Sequence, residues 1–109
     1  MCKSTPYYCK YHDVFRANLS DTYHLEKQYG NISLSYAEIK VYGPVAKDTL
    51  TVGGIRIPDF AFVPANGFYQ APVDGILGLS FQEGSQGPSR ATPNNNLIRE
   101  PTFSLYIKK

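Results

Sequence analysis

The segment Asp48-Thr49-Leu50-Thr51-Val52-Gly53-Gly54-Ile55-Arg56-Ile57 constrains the fold of this chain most strongly. Apolar and polar residues alternate on both sides of a Gly-Gly pair, and this period of two is typical of strands that bury one face. A glycine pair between two alternating runs indicates a tight turn, because glycine adopts turn conformations without steric cost. The sequence therefore predicts a β-hairpin here.

Strand signals recur along the chain, which holds nine tyrosines and six phenylalanines together with nine glycines and eight prolines. Residues 32–36 alternate and predict a second hairpin, whose tip lies near residues 37–40 and which ends at a Gly43-Pro44 break. Residues 60–63 and 103–107 predict two further short strands. Since no helix longer than about two turns is supported, we expect an all-β fold.

Length and charge limit the partners that the chain is expected to have. Its 109 residues suffice for one small domain, and the net charge of +2 is too small and scattered to indicate a nucleic-acid or membrane partner. No apolar run approaches the ~18 residues of a spanning helix. His12 and His24 lie far apart and are expected to be solvated surface residues, and the two cysteines have the wrong spacing for a zinc pair. We therefore expect no metal and no cofactor.

Three features near the amino terminus are typical of secreted proteins. Cys2 and Cys9 would close a short loop if oxidised, although two free thiols fit equally well, and Asn18-Leu19-Ser20 and Asn31-Ile32-Ser33 are candidate N-glycosylation sequons. The opening residues 1–5 nevertheless lack the apolar stretch of a secretory signal, so the chain as written carries no export address. Together these observations lead us to expect that an amino-terminal part has been lost.

Candidate catalysts are scarce. The chain has no Gly-x-Ser-x-Gly elbow and no Gly-rich phosphate loop followed by lysine. An aspartic protease needs two carboxylates that share a proton, each normally set in an Asp-Thr/Ser-Gly turn. The nearest matches, Asp21-Thr22-Tyr23 and Asp48-Thr49-Leu50, both carry a bulky third residue. We therefore predict no catalytic residue, and Asp74, which lies between Val73 and Gly75, remains to be explained.

Several motifs in a fixed order point to one family. They are Cys2-x6-Cys9 with His12, Ser20-Asp21-Thr22-Tyr23, the stretch 33–54 that ends in Asp48-Thr49-Leu50-Thr51-Val52-Gly53-Gly54, Asp74-Gly75-Ile76-Leu77-Gly78-Leu79, and Phe103-Ser104-Leu105-Tyr106. In this order they resemble the amino-terminal lobe of the pepsin-like aspartic proteases. The resemblance covers nearly the whole chain and implies an all-β fold that is part of that lobe of a bilobal acid protease.

The resemblance implies roles for particular residues. Tyr36 matches the flap tyrosine that closes over substrate, while Phe68, Val73 and Ile76 match positions that line the apolar pocket for the residue before the scissile bond. Without the resemblance, core packing would be the expected role of those last three residues. It also implies a Cys2–Cys9 disulfide.

Two further features of the resemblance concern the Asp-Gly-Ile-Leu-Gly motif. The resemblance implies that residues 76–78 form a strand in which Gly78 lets backbones approach closely. Asp74 is then expected to cap the turn that enters this strand.

The chain also departs from the family pattern. Ala37-Glu38-Ile39 stands where the family has Gly-Thr-Gly, and a β-branched Ile39 at the tip would be strained by ~1–3 kcal/mol unless the turn changes type. In the family the first Asp-Thr-Gly turn precedes the disulfide loop and the second lies in the carboxy-terminal lobe. Neither triplet occurs in the chain. We therefore interpret residues 1–109 as an incomplete amino-terminal lobe.

Three functional hypotheses follow. The first is a fragment, or a catalytically inactive relative, of a pepsin-like aspartic endopeptidase. The resemblance implies that members of this family are secreted or lysosomal, act on peptides or proteins, and have a second, carboxy-terminal lobe. The second is a piece of an active enzyme whose other exons are missing. The third is a non-catalytic lobe that binds peptides or a protease through exposed sheet edges. In each case we expect poor solubility of the isolated chain.

Overall fold

The structure, a computed structural model, describes residues 12–37, 39–68, 73–79 and 102–108, and at residues 67 and 68 it describes the backbone alone. The strands are β1 (His24–Leu25), β2 (Asn31–Tyr36), β3 (Ile39–Pro44), β4 (Ala46–Val52), β5 (Ile55–Phe62) and β6 (Gly67–Phe68). Two three-residue 3₁₀ helices, Ala17–Leu19 and Lys27–Tyr29, accompany them. The all-β prediction is confirmed.

The strands form two antiparallel three-stranded sheets, in the orders β1-β4-β5 and β2-β3-β6. The chain passes from β3 in one sheet to β4 in the other through Val45, which is almost fully buried. The buried apolar residues of the described part are small, namely Val41, Val45, Ala46 and Ala61. The core therefore lies at the crossing between the two sheets and is modest in size.

The Gly-Gly hairpin is confirmed. β4 and β5 pair with Val52 opposite Ile55, and Gly53 and Gly54 take φ values of 55° and 78°. Two consecutive residues with positive φ match the right-handed twist of the flanking strands, which is why glycine is favoured at both positions.

The predicted short strand at residues 60–63 is not a separate element. β5 runs without a break from Ile55 to Phe62. It includes Pro58 and also Asp59, whose φ is positive at 53°. The register between β4 and β5 shifts between Asp48 and Leu50, which marks a bulge. Proline is tolerated because β5 lies at the edge of its sheet in the described part of the chain.

The second hairpin is confirmed, and its tip is narrower than predicted. β2 and β3 pair in register from Asn31 opposite Pro44 to Tyr36 opposite Ile39, so two residues connect the strands, and the structure describes the first of them, Ala37. The expected strain at Ile39 is wrong, because Ile39 lies in β3 and the positive φ of 52° belongs to Ala37. The expected break at Gly43-Pro44 is also wrong, since β3 extends through Pro44.

Replacing Ala37 with glycine should stabilise the chain by about 0.5–1 kcal/mol, because a left-handed conformation costs an L-residue ~1–2 kcal/mol that glycine does not incur. Replacing Ile39 with glycine should destabilise it, since a half-buried strand residue loses both packing and β propensity. Urea unfolding of both variants measures the two effects. An Ala37→Gly variant less stable than the parent would contradict the observed turn.

The strand predicted at residues 103–107 is not formed. Residues 102–108 have no regular structure, and Leu105 and Tyr106 are 80% and 90% exposed. Residues 76–78, expected to be a strand, are likewise irregular and exposed. An extended segment becomes a strand only when a neighbour completes its hydrogen-bond ladder. Neither segment pairs with a strand among the residues that the structure describes.

Helices contribute little to the described structure. Both 3₁₀ helices are single turns whose capping residues, Ser20 and Gly30, donate their backbone N–H groups to Ala17 and Lys27 respectively. In the described ranges no helix has the length and apolar character needed to cross a lipid bilayer.

Candidate substrate-binding site

The β2–β3 hairpin carries Tyr36, the residue that matches the flap tyrosine. Tyr36 ends β2 and pairs with Ile39 across the two-residue turn. Its side chain is 38% exposed, so part of it is accessible beside the tip. The local sequence explains this placement, since the alternation of residues 32–36 fixes the register and the turn follows directly.

Phe68 belongs to the same sheet as Tyr36. β6 pairs with β3 so that Phe68 lies opposite Val41 and Gly67 opposite Tyr42. The backbone N–H of Asn66 donates to the carbonyl oxygen of Tyr42 at 2.8 Å and fixes the entry into β6. The structure therefore brings the backbone positions of Tyr36 and Phe68 into one sheet.

Val73 and Ile76 belong to no strand of that sheet. Both are exposed, in the irregular segment 73–79, which forms no strand pair with either sheet in the described part of the chain. The structure does not assemble these two residues with Tyr36 into a described pocket. A substrate-binding role for all four residues stays a prediction.

Asp74 is in contact with His12. The two side chains meet at 2.7 Å between His12 Nδ1 and Asp74 Oδ1. The described hydrogen bond of Asp74 goes to the imidazole, so His12 is not merely solvated, while the capping role of Asp74 stays a prediction. Both side chains are partly exposed, so the pair is worth at most about 1 kcal/mol. Its effect is to hold residues 73–79 beside the start of the described chain.

Gly78 also differs from expectation. A Cβ atom built on Gly78 would meet nothing within 4 Å among the described residues. The close backbone approach is found instead at Gly43 of β3, where a Cβ would lie 2.7 Å from the carbonyl oxygen of Pro64. The glycine that allows two backbone segments to pack is therefore in the β2-β3-β6 sheet, called the flap sheet below.

Asp48 anchors the segment before β1 to β4. Its side chain is 9% exposed, and its Oδ1 accepts hydrogen bonds from Thr22 Oγ1 at 2.6 Å, Thr49 N at 2.7 Å and Ser20 Oγ at 2.9 Å. The Thr22 hydroxyl, followed by the Ser20 hydroxyl and the Thr49 amide, lowers the pKa of Asp48, although burial opposes the shift. The carboxylate is thus kept ionised by neutral donors, which suits a structural anchor.

An aromatic cluster lies next to this anchor. Phe15 packs against Tyr23 and Phe62 with ring centroids 5.5 and 5.0 Å apart, and Tyr23 and Phe62 lie 6.5 Å apart. Burial, followed by the negative charge of Asp48, raises the pKa of Tyr23. The cluster packs Phe15 and Tyr23 against the end of β5.

Glu26 contacts polar residues at the β1 edge of the same β1-β4-β5 sheet. It lies 3.2 Å from Lys47 Nζ and 3.4 Å from His24 Nε2, and it accepts a hydrogen bond from Gln28 Nε2 at 3.0 Å. The hydrogen bond from Lys47 is the main reason that the pKa of Glu26 is lowered. His24 is exposed, as expected, but it has a carboxylate partner. The described residues contain no group of three or more His, Cys, Asp or Glu suited to hold a metal ion.

The remaining candidate residues fall in two places. Asn18 lies in the first 3₁₀ helix and Asn31 is the first residue of β2, and both are exposed. Cys2 and Cys9 lie outside the described residues, so the disulfide stays a prediction.

Three contacts were not predictable from the motifs alone: Asp48 with Ser20 and Thr22, His12 with Asp74, and Asn31 with Tyr42. The first joins hydroxyls in one family motif to the acid of the next. A buried acid at the start of an alternating strand is the signal that could have suggested it, because such an acid requires donors.

The flap hairpin, the crossing between two sheets and the ordered motifs define the class of protein. The model of the family described as eukaryotic aspartyl protease matches residues 1–109. The chain belongs to this family.

Curated relatives agree with this assignment. The chain is 34% identical to cathepsin E-A of Xenopus laevis, 33% to aspartic proteinase A1 of Arabidopsis thaliana and 34% to pepsin A of Rhinolophus ferrumequinum. These matches cover 93%, 93% and 91% of the chain but only 27%, 21% and 28% of the relatives. The chain thus spans about a quarter of the length of these relatives.

Proposed function

We propose that residues 1–109 are the flap-bearing part of the amino-terminal lobe of a pepsin-like aspartic endopeptidase and do not cleave peptides by themselves. The observation that carries the proposal is the β2–β3 hairpin, which ends in Tyr36 at a two-residue turn and pairs through β3 with the strand that holds Phe68. The relatives whose names identify them as cathepsin, pepsin or aspartic proteinase support the reaction class.

The carboxylates of the chain that the structure places most firmly are committed to other contacts. Hydrolysis in this class requires two facing carboxylates that share one proton, so that one of them has a raised pKa. Asp48 accepts three hydrogen bonds on one oxygen and its pKa is lowered, while Asp74 contacts His12. Neither Asp48 nor Asp74 is therefore free to share a catalytic proton with a second carboxylate.

The contribution of the chain is then to hold substrate. An extended peptide or protein segment would lie beside the hairpin, with Tyr36 covering it and Phe68, Val73 and Ile76 supplying apolar contacts. Partial exposure of Tyr36, Val73 and Ile76 is compatible with this role, since a binding surface must be accessible before substrate arrives.

The purified 109-residue chain is expected to show no pepstatin-sensitive cleavage of a denatured protein at acid pH, with an active pepsin as the positive control. Cleavage abolished by the inhibitor would overturn the proposal that the chain is inactive alone. Reading the coding sequence upstream of Met1 separates the two versions of the proposal. An in-frame Asp-Thr-Gly triplet would indicate that the chain is a segment of an active enzyme. The absence of this triplet would indicate that the chain is an inactive relative.

A second candidate function is a non-catalytic peptide-binding lobe. The observation that favours it is the outer edge of β2, a six-residue strand that is paired on one side only in the described part of the chain. Such an edge can accept an extended peptide as an additional strand. Saturable binding of a labelled extended peptide without cleavage would support this function, and the lack of saturable binding would remove it.

A further inference from the structure

The outer face of the β2–β3 hairpin carries a sequon beside an exposed aromatic ring. The burial of β2 alternates so that Asn31, Ser33 and Ser35 are exposed while Ile32 and Leu34 are half-buried. Asn31 therefore opens the strand on the solvent face, and the serine of its sequon Asn31-Ile32-Ser33 shares that face.

Tyr42 lies next to Asn31 on this face. Ser33 pairs with Tyr42 in the β2–β3 register, so Asn31 is the diagonal neighbour of Tyr42. Asn31 Nδ2 donates a hydrogen bond to the Tyr42 hydroxyl at 3.0 Å, and the Tyr42 side chain is 50% exposed. The amide that a transferase would modify is thus held at the edge of an open aromatic surface.

We propose that Asn31 is an N-glycosylation site and that its first N-acetylglucosamine packs on the exposed ring of Tyr42. In the transfer, Asn31 Nδ2 forms a bond to the anomeric carbon of an oligosaccharide carried on a lipid diphosphate. The bond from that carbon to the phosphate oxygen breaks, the lipid diphosphate leaves, and one amide proton passes to a base of the transferase.

The modified residue keeps the contact that the structure shows. A primary amide has two N–H bonds and glycosylation replaces one of them, so the remaining N–H can still donate to the Tyr42 hydroxyl. The C–H face of a sugar is apolar and packs on an aromatic ring, while the tyrosine hydroxyl stays hydrated. The folded hairpin therefore accommodates the product without losing its own hydrogen bond.

The position also gives the modification a physical consequence. β2 is an edge strand in the described structure, and an unprotected edge invites pairing with other chains. A bulky, hydrated group at its first residue would hinder such pairing. This inference is independent of the proposed protease function, because it requires only the sequon, the exposed face and Tyr42.

Site occupancy is tested on the full 109-residue chain, secreted behind a cleavable leader from eukaryotic cells that keep glycans in the high-mannose form. Glycopeptide mass spectrometry should find Asn31 modified in the parent chain and in an Asn18→Gln variant, and unmodified in Asn31→Gln and Ser33→Ala. Removal of the leader shows that the parent chain has entered the secretory pathway. If Asn31 is unmodified in such chains, the proposal is overturned. This readout uses denatured peptides and does not depend on how stable a variant is.

Contact with Tyr42 is tested after endoglycosidase H has trimmed the glycan to one N-acetylglucosamine. The ring current of Tyr42 should shift sugar proton resonances upfield relative to the same glycopeptide released by proteolysis. The shift should persist in Tyr42→Phe, which keeps the ring, and disappear in Tyr42→Leu. Equal sugar shifts in the folded parent chain and the free glycopeptide would overturn the packing, even if the leucine variant failed to fold.

Discussion

Replacing Asp48 with asparagine is expected to lower the free energy of unfolding by about 2–3 kcal/mol at neutral pH, since hydrogen bonds to a charged group are worth about 1.5–3 kcal/mol each at most. The amide oxygen of asparagine is a weaker acceptor than a carboxylate oxygen, and the substitution removes the negative charge to which Ser20, Thr22 and Thr49 donate. Domains of this size are stable by only about 5–15 kcal/mol. Urea unfolding at pH 7 measures the loss.

Asp21→Asn provides a matched control. Asp21 belongs to the same segment as Ser20 and Thr22 but its side chain is exposed, so its replacement should change stability by no more than about 0.5 kcal/mol. If Asp21→Asn and Asp48→Asn lowered the free energy of unfolding equally, the hydrogen bonds from the three donors to Asp48 would not be the cause of the lost stability.

The difference between the parent and Asp48→Asn should also depend on pH in a defined direction. The folded pKa of Asp48 is lowered, so its stabilising contribution is complete above the unfolded pKa of about 3.9 and is lost as the pH falls through the folded value. The difference in unfolding free energy should therefore be constant from pH 7 to about pH 5 and shrink below about pH 4. Glu26, whose pKa is also lowered, affects both proteins equally and cancels.

A difference that stays constant or grows below pH 4 would show that the carboxylate is not the titrating group. The Thr22 and Ser20 hydroxyls and the Thr49 amide lower the pKa of Asp48, and the positive charge of His24 makes a smaller contribution in the same direction.

The two hairpins could be predicted from the sequence because their information is local. Alternation in residues 32–36 and 48–57 specifies which face is buried, and Gly53-Gly54 specifies the turn. The turn at Ala37 was less predictable, since alanine carries no signal for positive φ. Its place became clear only from the pairing of Tyr36 with Ile39.

The contacts between distant segments could not be predicted in the same way. Asp48 meets Ser20 and Thr22, 28 and 26 residues away, and Asp74 meets His12, 62 residues away. A single sequence does not state which hydroxyl or imidazole a carboxylate will reach. The strand expected at 103–107 failed for a related reason, because propensity describes a segment while a strand also needs a neighbour.

The described surface supports the expectation of poor solubility. The buried apolar residues are small, whereas many large ones are exposed, including Leu19, Leu25, Leu77, Leu79, Phe103, Leu105, Tyr106 and Ile107. Burying apolar area is the main stabilising contribution to a fold, and exposed apolar surface of this kind promotes association.

Replacing Gly43 with alanine should be the most damaging change to the flap sheet, with an expected loss of about 1–3 kcal/mol. The added Cβ would lie 2.7 Å from the carbonyl oxygen of Pro64, 3.1 Å from Val63 Cγ1 and 3.3 Å from Ala65 Cα. Two of these atoms are backbone, so the clash cannot be relieved by rotating a side chain. Either β3 or residues 63–65 must move.

The same movement should reach the candidate substrate-binding site. Residues 63–65 lead directly into the hydrogen bond from Asn66 N to Tyr42 O and then into the pairing of Phe68 with Val41. Hydrogen exchange should therefore show faster exchange at the amides of residues 66–68 in Gly43→Ala than in the parent chain, while the β4–β5 hairpin keeps its protection.

Gly75→Ala separates this steric effect from the general effect of replacing glycine. A Cβ on Gly75 meets nothing within 4 Å among the described residues, and alanine lowers the entropy of the unfolded chain, so this variant should be within about 0.5 kcal/mol of the parent. Gly43→Ala and Gly75→Ala could also prove equally stable. In that case the close approach between β3 and Pro64 would not be the contact that positions Phe68. A selective loss at Gly43 would instead link the geometry of the flap sheet to the placement of a residue expected to contact substrate.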